Sequence, residues 1–206
     1  MTDPTAAPAD DPTTVVVVID RSGSMAPLRG FVVEGANQLL DGLDPAARVT
    51  IVQFDSHDPY EVLVDNVPAA EVTPIEYAQY QPRRSTPLFD AVGEAITRTT
   101  AAVEQARAGG GADPTVVLAI ISDGFENAST RFTREQVRQM IERVQQEGWT
   151  VTYIGLGHDV FIEGRRLGID PARLSVRARS RNGTLDAFRD VSAAVSEARL
   201  RRRRGD

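Results

Sequence analysis

The sequence predicts an α/β domain built on a doubly wound, mostly parallel sheet, with one antiparallel edge strand and helices on both faces. Three observations carry this. Residues 15–19 (VVVVI), 116–121 (VVLAII) and 150–156 (TVTYIGL) form apolar or nearly apolar runs, as expected of strands covered on both faces. Segments with apolar residues at helical spacing alternate with them, the pattern of an open sheet layered by helices. Five polar or turn-forming residues, Asp55-Ser56-His57-Asp58-Pro59, join the strands expected at 48–54 and 60–67, which reads as a hairpin and supplies the antiparallel edge.

The elements follow in order. Residues 1–14 are rich in Pro, Ala, Thr and Asp without periodicity, the composition of a disordered leader; the domain is expected over 15–200, with an Arg-rich tail at 201–206. After the first strand comes a small-residue turn, Asp20-Arg21-Ser22-Gly23-Ser24. Pro27 suits a helix start, and Leu28, Val32, Ala36, Leu39 and Leu43 recur at helical spacing. A long Pro-punctuated connection spans 68–85, a length that is usually functional or disordered. The second helix runs from Leu88 to about Ala108, stopped by Gly109-Gly110-Gly111. Thr133-Arg134-Glu135-Gln136 reads as a capping box that opens a third helix, and Gly148 stops it. A short helix is expected over 161–167, a short strand at 173–176 and a last helix over 184–200.

Composition removes several classes of function. With no cysteine there are no disulfides, zinc–thiolate sites, iron–sulfur clusters or cysteine nucleophiles. The longest aliphatic run is far too short to span a bilayer. No basic and apolar signal pattern follows Met1, so a cytoplasmic location is expected. All 23 basic residues are Arg, a usage that suggests a GC-rich bacterial source. Residues 1–163 carry a net charge of −13 and residues 164–206 one of +7. An acidic body with a basic end is not the profile of a dedicated nucleic-acid binder.

In open α/β sheets ligands bind beyond the carboxyl ends of the strands. Asp20, Ser22 and Ser24 follow the first strand, Asp123-Gly124 follows the strand at 116–121, and Thr86 precedes the second helix. Three hydroxyls and two carboxylates are hard oxygen ligands, suited to Mg²⁺, with Mn²⁺ as the alternative. Each residue has a plainer use. Ser22 and Ser24 suit a turn, Asp20 a helix cap, and Thr86 before Pro87 an N-cap.

Asp20-Arg21-Ser22-Gly23-Ser24-Met25, Thr86 and Ser122-Asp123-Gly124 together resemble the metal-ion-dependent adhesion site of a von Willebrand factor A domain. Thr86-Pro87-Leu88-Phe89-Asp90-Ala91, Asp123-Gly124-Phe125-Glu126-Asn127 and Gly148-Trp149 are similar to small stand-alone bacterial members. The resemblance implies that Ser22 and Ser24 bind the metal directly and Thr86 directly or through water. Asp20 and Asp123 would act largely through bridging waters and by orienting the hydroxyls. It also implies a non-catalytic module whose remaining coordination position takes an Asp or Glu of a protein partner, with an AAA-type ATPase system as one such partner. Gly23, Met25, Arg84, Ser85 and Glu126 would form the rim. Many relatives carry Gly just before the Thr-containing loop, where this chain has Arg83-Arg84-Ser85; these arginines attract an acidic partner, stiffen the loop or repel the metal slightly.

Two other functions stay open. One is a Mg²⁺-dependent phosphotransferase with Asp20 as nucleophile, against which Ser22 stands where such enzymes carry a second Asp. The other is a scaffold that uses the Arg-rich end on nucleic acid or an acidic protein. His158 and Asp159 follow a strand at the ligand-binding end, where a pair satisfied within the loop is expected ahead of one that faces the site. Gly155-Leu156-Gly157 lacks the third glycine of a dinucleotide fingerprint.

Overall fold

A computed structural model describes residues 12–157 and 160–205, with the side chains of 160 and 161 excepted. His158 and Asp159 and most of the leader therefore lie outside the described residues. Six strands form one sheet: β1 (Thr13–Asp20), β2 (Arg48–Phe54), β3 (Glu61–Pro68), β4 (Thr115–Ser122), β5 (Thr150–Leu156) and β6 (Leu174–Arg177). Their order is β3-β2-β1-β4-β5-β6. Only the β2–β3 pair is antiparallel; the other four pairs are parallel.

The chain leaves β1 toward β2 and β3, then crosses to β4 on the other side. The topological switch point thus falls between β1 and β4, where an open sheet has its ligand crevice. Ile19 pairs with Ile121, which brings Asp20 and Ser122 side by side at that crevice.

Strand alternation explains the unbroken apolar runs. Val15, Val17 and Ile19 point to one face with Val117, Ala119 and Ile121, and pack against α1 (Arg29–Gly42) and α5 (Arg181–Arg204). Val16, Val18, Leu118 and Ile120 point to the other, against α2 (Leu88–Ala108) and α3 (Arg134–Gln146). A residue-by-residue flip places each side chain from Val15 to Ile19 in one core or the other. The capping box forms as expected: Thr133 Oγ1 accepts from Gln136 N, and Thr133 N donates to the Gln136 side chain. The short helix α4 (Val160–Arg166) leans on β5 and β6.

Several boundaries differ from the sequence expectation, each for a local reason. A 3-10 turn over Gly23–Leu28 precedes α1, and Pro27 lies inside that turn instead of at the α-helical start. Helix α5 begins at Arg181, capped by Ser180, and continues to Arg204, so 201–204 are its last turn. Arg199 pairs with Asp44, Arg201 donates to Thr150 Oγ1 and Arg202 to Asp113 O. These arginines fasten the helix end to the base of the sheet.

Helices α1 and α5 approach closely because Gly35 has no side chain. A Cβ there would lie 2.2 Å from the Phe188 ring, and Phe188 is only 2% exposed. Gly35→Ala is therefore expected to cost about 1–3 kcal/mol through overpacking, despite alanine's better helix propensity. Gly42→Ala in the same helix faces open space and is expected to be neutral or to gain up to about 1 kcal/mol. Urea unfolding of the two variants beside wild type checks the contrast, which equal shifts would refute.

Candidate metal centre

Asp20 ends β1 with its side chain out of contact with solvent. Its Oδ1 accepts from Ser22 N at 2.7 Å and its Oδ2 from the Ser122 hydroxyl at 2.5 Å. Tyr80, from the long connection before α2, donates to the Asp20 carbonyl at 2.5 Å and pins the strand end. Burial pushes the Asp20 carboxyl up to about 6, partly offset by the Ser122 and Ser22 donors, with the Asp123 charge adding to the rise. A nearby cation is what such a buried carboxylate lacks.

Ser22 precedes the 3-10 turn but its side chain makes no capping bond. Its Oγ lies instead 3.0 Å from Ser24 Oγ, and Ser24 Oγ donates to Asp123 Oδ1 at 2.6 Å. Nor does Thr86 cap α2. Pro87 holds that position, its carbonyl accepting from Ala91 N. Helix α2 thus starts one residue later than a proline at the first helical position implies. The Thr86 backbone is clamped from both sides by Asn127, whose Oδ1 accepts from Thr86 N and whose N donates to Thr86 O. Thr86 is thus not the N-cap that the sequence offered.

Gly124 shows where the oxygens converge. A Cβ built there would stand 3.4 Å from Thr86 Oγ1, 3.9 Å from Ser24 Oγ and 4.0 Å from Asp20 Oδ2. Three oxygens, two from the end of β1 and the turn after it and one from the loop before α2, surround a space that a side chain would fill. Asp123 closes it, its side chain fully covered. Among the described residues no three His, Asp or Glu side chains gather as a metal-binding group. The donor set here is three hydroxyls with two carboxylates, a hard-oxygen set that fits Mg²⁺ or Mn²⁺.

The loop carrying Thr86 is fastened at each residue. Arg83 N donates to Arg21 O, and the Arg83 guanidinium lies 2.9 Å from Asp55. Arg84 O accepts from Gly23 N at 3.0 Å and Ser85 O from Ser56 N at 3.0 Å. Of the roles open to the arginines, Arg83 stiffens the loop; Arg84 is exposed at the site. Arg84 has φ +61°, the left-handed region that glycine tolerates freely and β-branched residues resist. Arg84→Val is expected to cost about 1–2 kcal/mol, and Arg84→Gly to stay within about 0.5 kcal/mol of wild type. Chemical denaturation distinguishes them, and a harmless Val variant would show that the backbone relaxes.

At the rim, Gly23, Ser24, Arg84, Ser85 and the 43%-exposed Phe125 face outward. Met25, expected there, is fully buried in the core beneath α1, because three residues of 3-10 turn after Ser22 carry it inward. The Glu126 carboxylate accepts from Phe89 N, Ala128 N, Ser129 N and the Ser129 hydroxyl, so its oxygens serve the loop. Asp90 likewise accepts from Thr130, Arg131 and Phe132 N, bracing the segment after Glu126. Sequence reasoning assigns nothing to Tyr80 or Arg179 and carries Ser122 only within the motif Ser122-Asp123-Gly124. Arg179 Nη2 donates to Ser24 O at 2.7 Å and lies 2.6 Å from Asp123 Oδ2.

A mixed α/β sheet with an oxygen-rich site at the switch point defines the class, and comparison with known proteins gives the family. Residues 14–191 match the von Willebrand factor type A domain, and the chain belongs to that family. The fold is shared with solved structures of low identity. Proximal thread matrix protein 1 from the mussel byssus is 15% identical with a TM-score of 0.65, over 90% of this chain and 48% of that one. A von Willebrand factor type A protein from Catenulispora acidiphila is 18% identical with a TM-score of 0.61, over 89% and 42%. Manganese-loaded TRAP protein of Plasmodium vivax is 14% identical with a TM-score of 0.59, over 89% and 74%. The chain thus spans less than half the length of the first two. Comparison with curated proteins gives no match. Among the described residues no helix is long and apolar enough to cross a membrane.

Proposed function

We propose that the protein is a non-catalytic interaction module that holds Mg²⁺, or Mn²⁺, at Asp20, Ser22, Ser24, Thr86 and Asp123 and uses it to bind an Asp or Glu side chain of a protein partner. The observation that carries this is the convergence of Thr86 Oγ1, Ser24 Oγ and Asp20 Oδ2 around the missing side chain of Gly124. Neutral hydroxyls leave most of a divalent ion's charge unquenched, so a bound ion would attract an incoming carboxylate. The family points the same way, and one solved relative of the same fold is loaded with manganese.

The residues argue against an enzyme. Asp20 is shut off from solvent and both its oxygens already accept hydrogen bonds, which makes it a poor nucleophile. His57 lies exposed in the β2–β3 hairpin, with no serine–histidine contact at the site among the described residues. A displayed peptide library selected on the protein in Mg²⁺ tests the reading. Recovered peptides are expected to share an Asp or Glu, and to be lost on adding EDTA or on changing that residue to Asn or Gln. Peptides without an acidic residue, or binding indifferent to EDTA, would refute it.

A further inference from the structure

Arg179 comes from the short link between β6 and α5, far in sequence from every residue of the metal-centre motif. The link is rigidly built. Ser180 caps α5 by accepting from Gly183 N, and Ser180 N donates to Ala178 O at 2.8 Å. A Cβ on Gly183 would fall 2.1 Å from Ala178 O, so the helix start and the link fit only with glycine there. From this base the Arg179 side chain passes Gly157, where an added Cβ would touch Arg179 Cδ at 3.7 Å. It reaches the site with Nη2 on Ser24 O at 2.7 Å and 2.6 Å from Asp123 Oδ2.

Its two ends differ in exposure. The Arg179 side chain is 43% exposed, whereas the Asp123 side chain is fully covered. The Asp123 Oδ2 atom has no aligned hydrogen-bond donor among the described residues. The contact is therefore a charge pairing at short range without hydrogen-bond geometry. A guanidinium on a half-exposed arm can leave such a contact at modest cost, while the buried carboxylate needs a cation from somewhere.

We propose that Arg179 is a built-in competitor for the divalent ion, sharing the Asp123 carboxylate with it and holding the metal affinity of the site down. This rests on the assignment of the five oxygen-bearing residues as a metal centre. A divalent ion and the guanidinium draw on the same carboxylate and repel each other across a short distance. Metal binding loosens Arg179 from Asp123, and removing the guanidinium strengthens metal binding.

Calorimetric titration of Mg²⁺ and Mn²⁺ into wild type, Arg179→Ala, Arg179→Gln and Arg179→Lys tests this. The Ala and Gln variants are expected to bind both ions about five- to tenfold more tightly, with Lys in between because it keeps the charge on a shorter arm. In EDTA the Ala variant is expected to melt below wild type, since Asp123 has lost its counter-charge, and added Mg²⁺ should raise its melting temperature by more. Equal or weaker metal binding in both Ala and Gln, with unchanged circular dichroism, overturns the proposal and leaves Arg179 as a support for Asp123. If wild type and all three variants fail to bind either ion, the metal-centre assignment falls, and this proposal with it.

Discussion

Ser22→Ala is expected to weaken Mg²⁺ binding by about 100-fold or more while leaving the fold intact. The Ser22 side chain is almost fully buried but does not cap the turn that follows it. Its hydroxyl lies 3.0 Å from Ser24 Oγ and helps to hold the Asp20 carboxylate in its charged form. Removing it therefore takes away one oxygen of the metal centre and one support of the Asp20 charge. Asp20→Ala should be equally damaging to binding but less clean, because Asp20 also orders Ser22 N and Ser122. A change in groups that only orient ligands costs about 10- to 100-fold in affinity, so loss of a ligand itself sets that range as its floor. The same experiment can be read as stability. At about a hundred times the Kd, bound Mg²⁺ adds about 2.7 kcal/mol to unfolding. Wild type should show that gain over its value in EDTA, and Ser22→Ala should not at the same Mg²⁺ concentration. A Ser22→Ala protein that binds Mg²⁺ as tightly as wild type would remove Ser22 from the ligand set.

How far the site was readable depends on sequence distance. Asp20, Ser22 and Ser24 sit in one turn after an apolar strand, so their grouping needs no tertiary knowledge. Asp123 and Thr86 could be placed because a parallel sheet puts its strand ends on one edge. Pro87 misled locally: proline suits the first helical residue, yet Asn127 holds both backbone groups of Thr86 and α2 begins beyond the proline. Met25, expected at the rim beside Ser24, is carried inward by the 3-10 turn. Tyr80 and Arg179 carry no periodic or motif mark, and their contacts reach back 60 and 155 residues. The fold was more legible because buried parallel strands and amphipathic helices announce themselves over five or more residues. Helix ends were less so: α5 starts at Arg181 because Ser180 caps it, a choice that a polar stretch such as Ala178-Arg179-Ser180-Arg181-Asn182 does not advertise.

Arg21, the unspecified residue inside Asp20-x-Ser22, carries the largest structural prediction. It is 2% exposed and pairs with Asp55, whose side chain is fully buried, and with Glu61. Arg83 reaches the same Asp55 oxygen from the Thr86 loop, and Gln53 Nε2 donates to Glu61. Asp55 also accepts from His57 N and Asp58 N. Burial raises its carboxyl, but these donors and the two arginines outweigh that and hold it below the usual range. A carboxyl depressed by folding contributes its stability at neutral pH and loses it as the pH falls through the folded value. Arg21→Met, which keeps the apolar stem but deletes the charge, is expected to cost about 3–5 kcal/mol at pH 7, the penalty of a buried ion left without its main partner. Asp55→Ala added to Arg21→Met should recover part of that loss, because the orphaned carboxylate disappears. A double-mutant cycle in urea measures the coupling. If Arg21→Met costs under about 1 kcal/mol, Arg83 alone suffices to neutralise Asp55 and the cluster is not a structural keystone. Because Arg21 O also accepts from Arg83 N, a cluster that does matter ties stability to the loop bearing Thr86, and the same variant should weaken Mg²⁺ binding without touching a ligand.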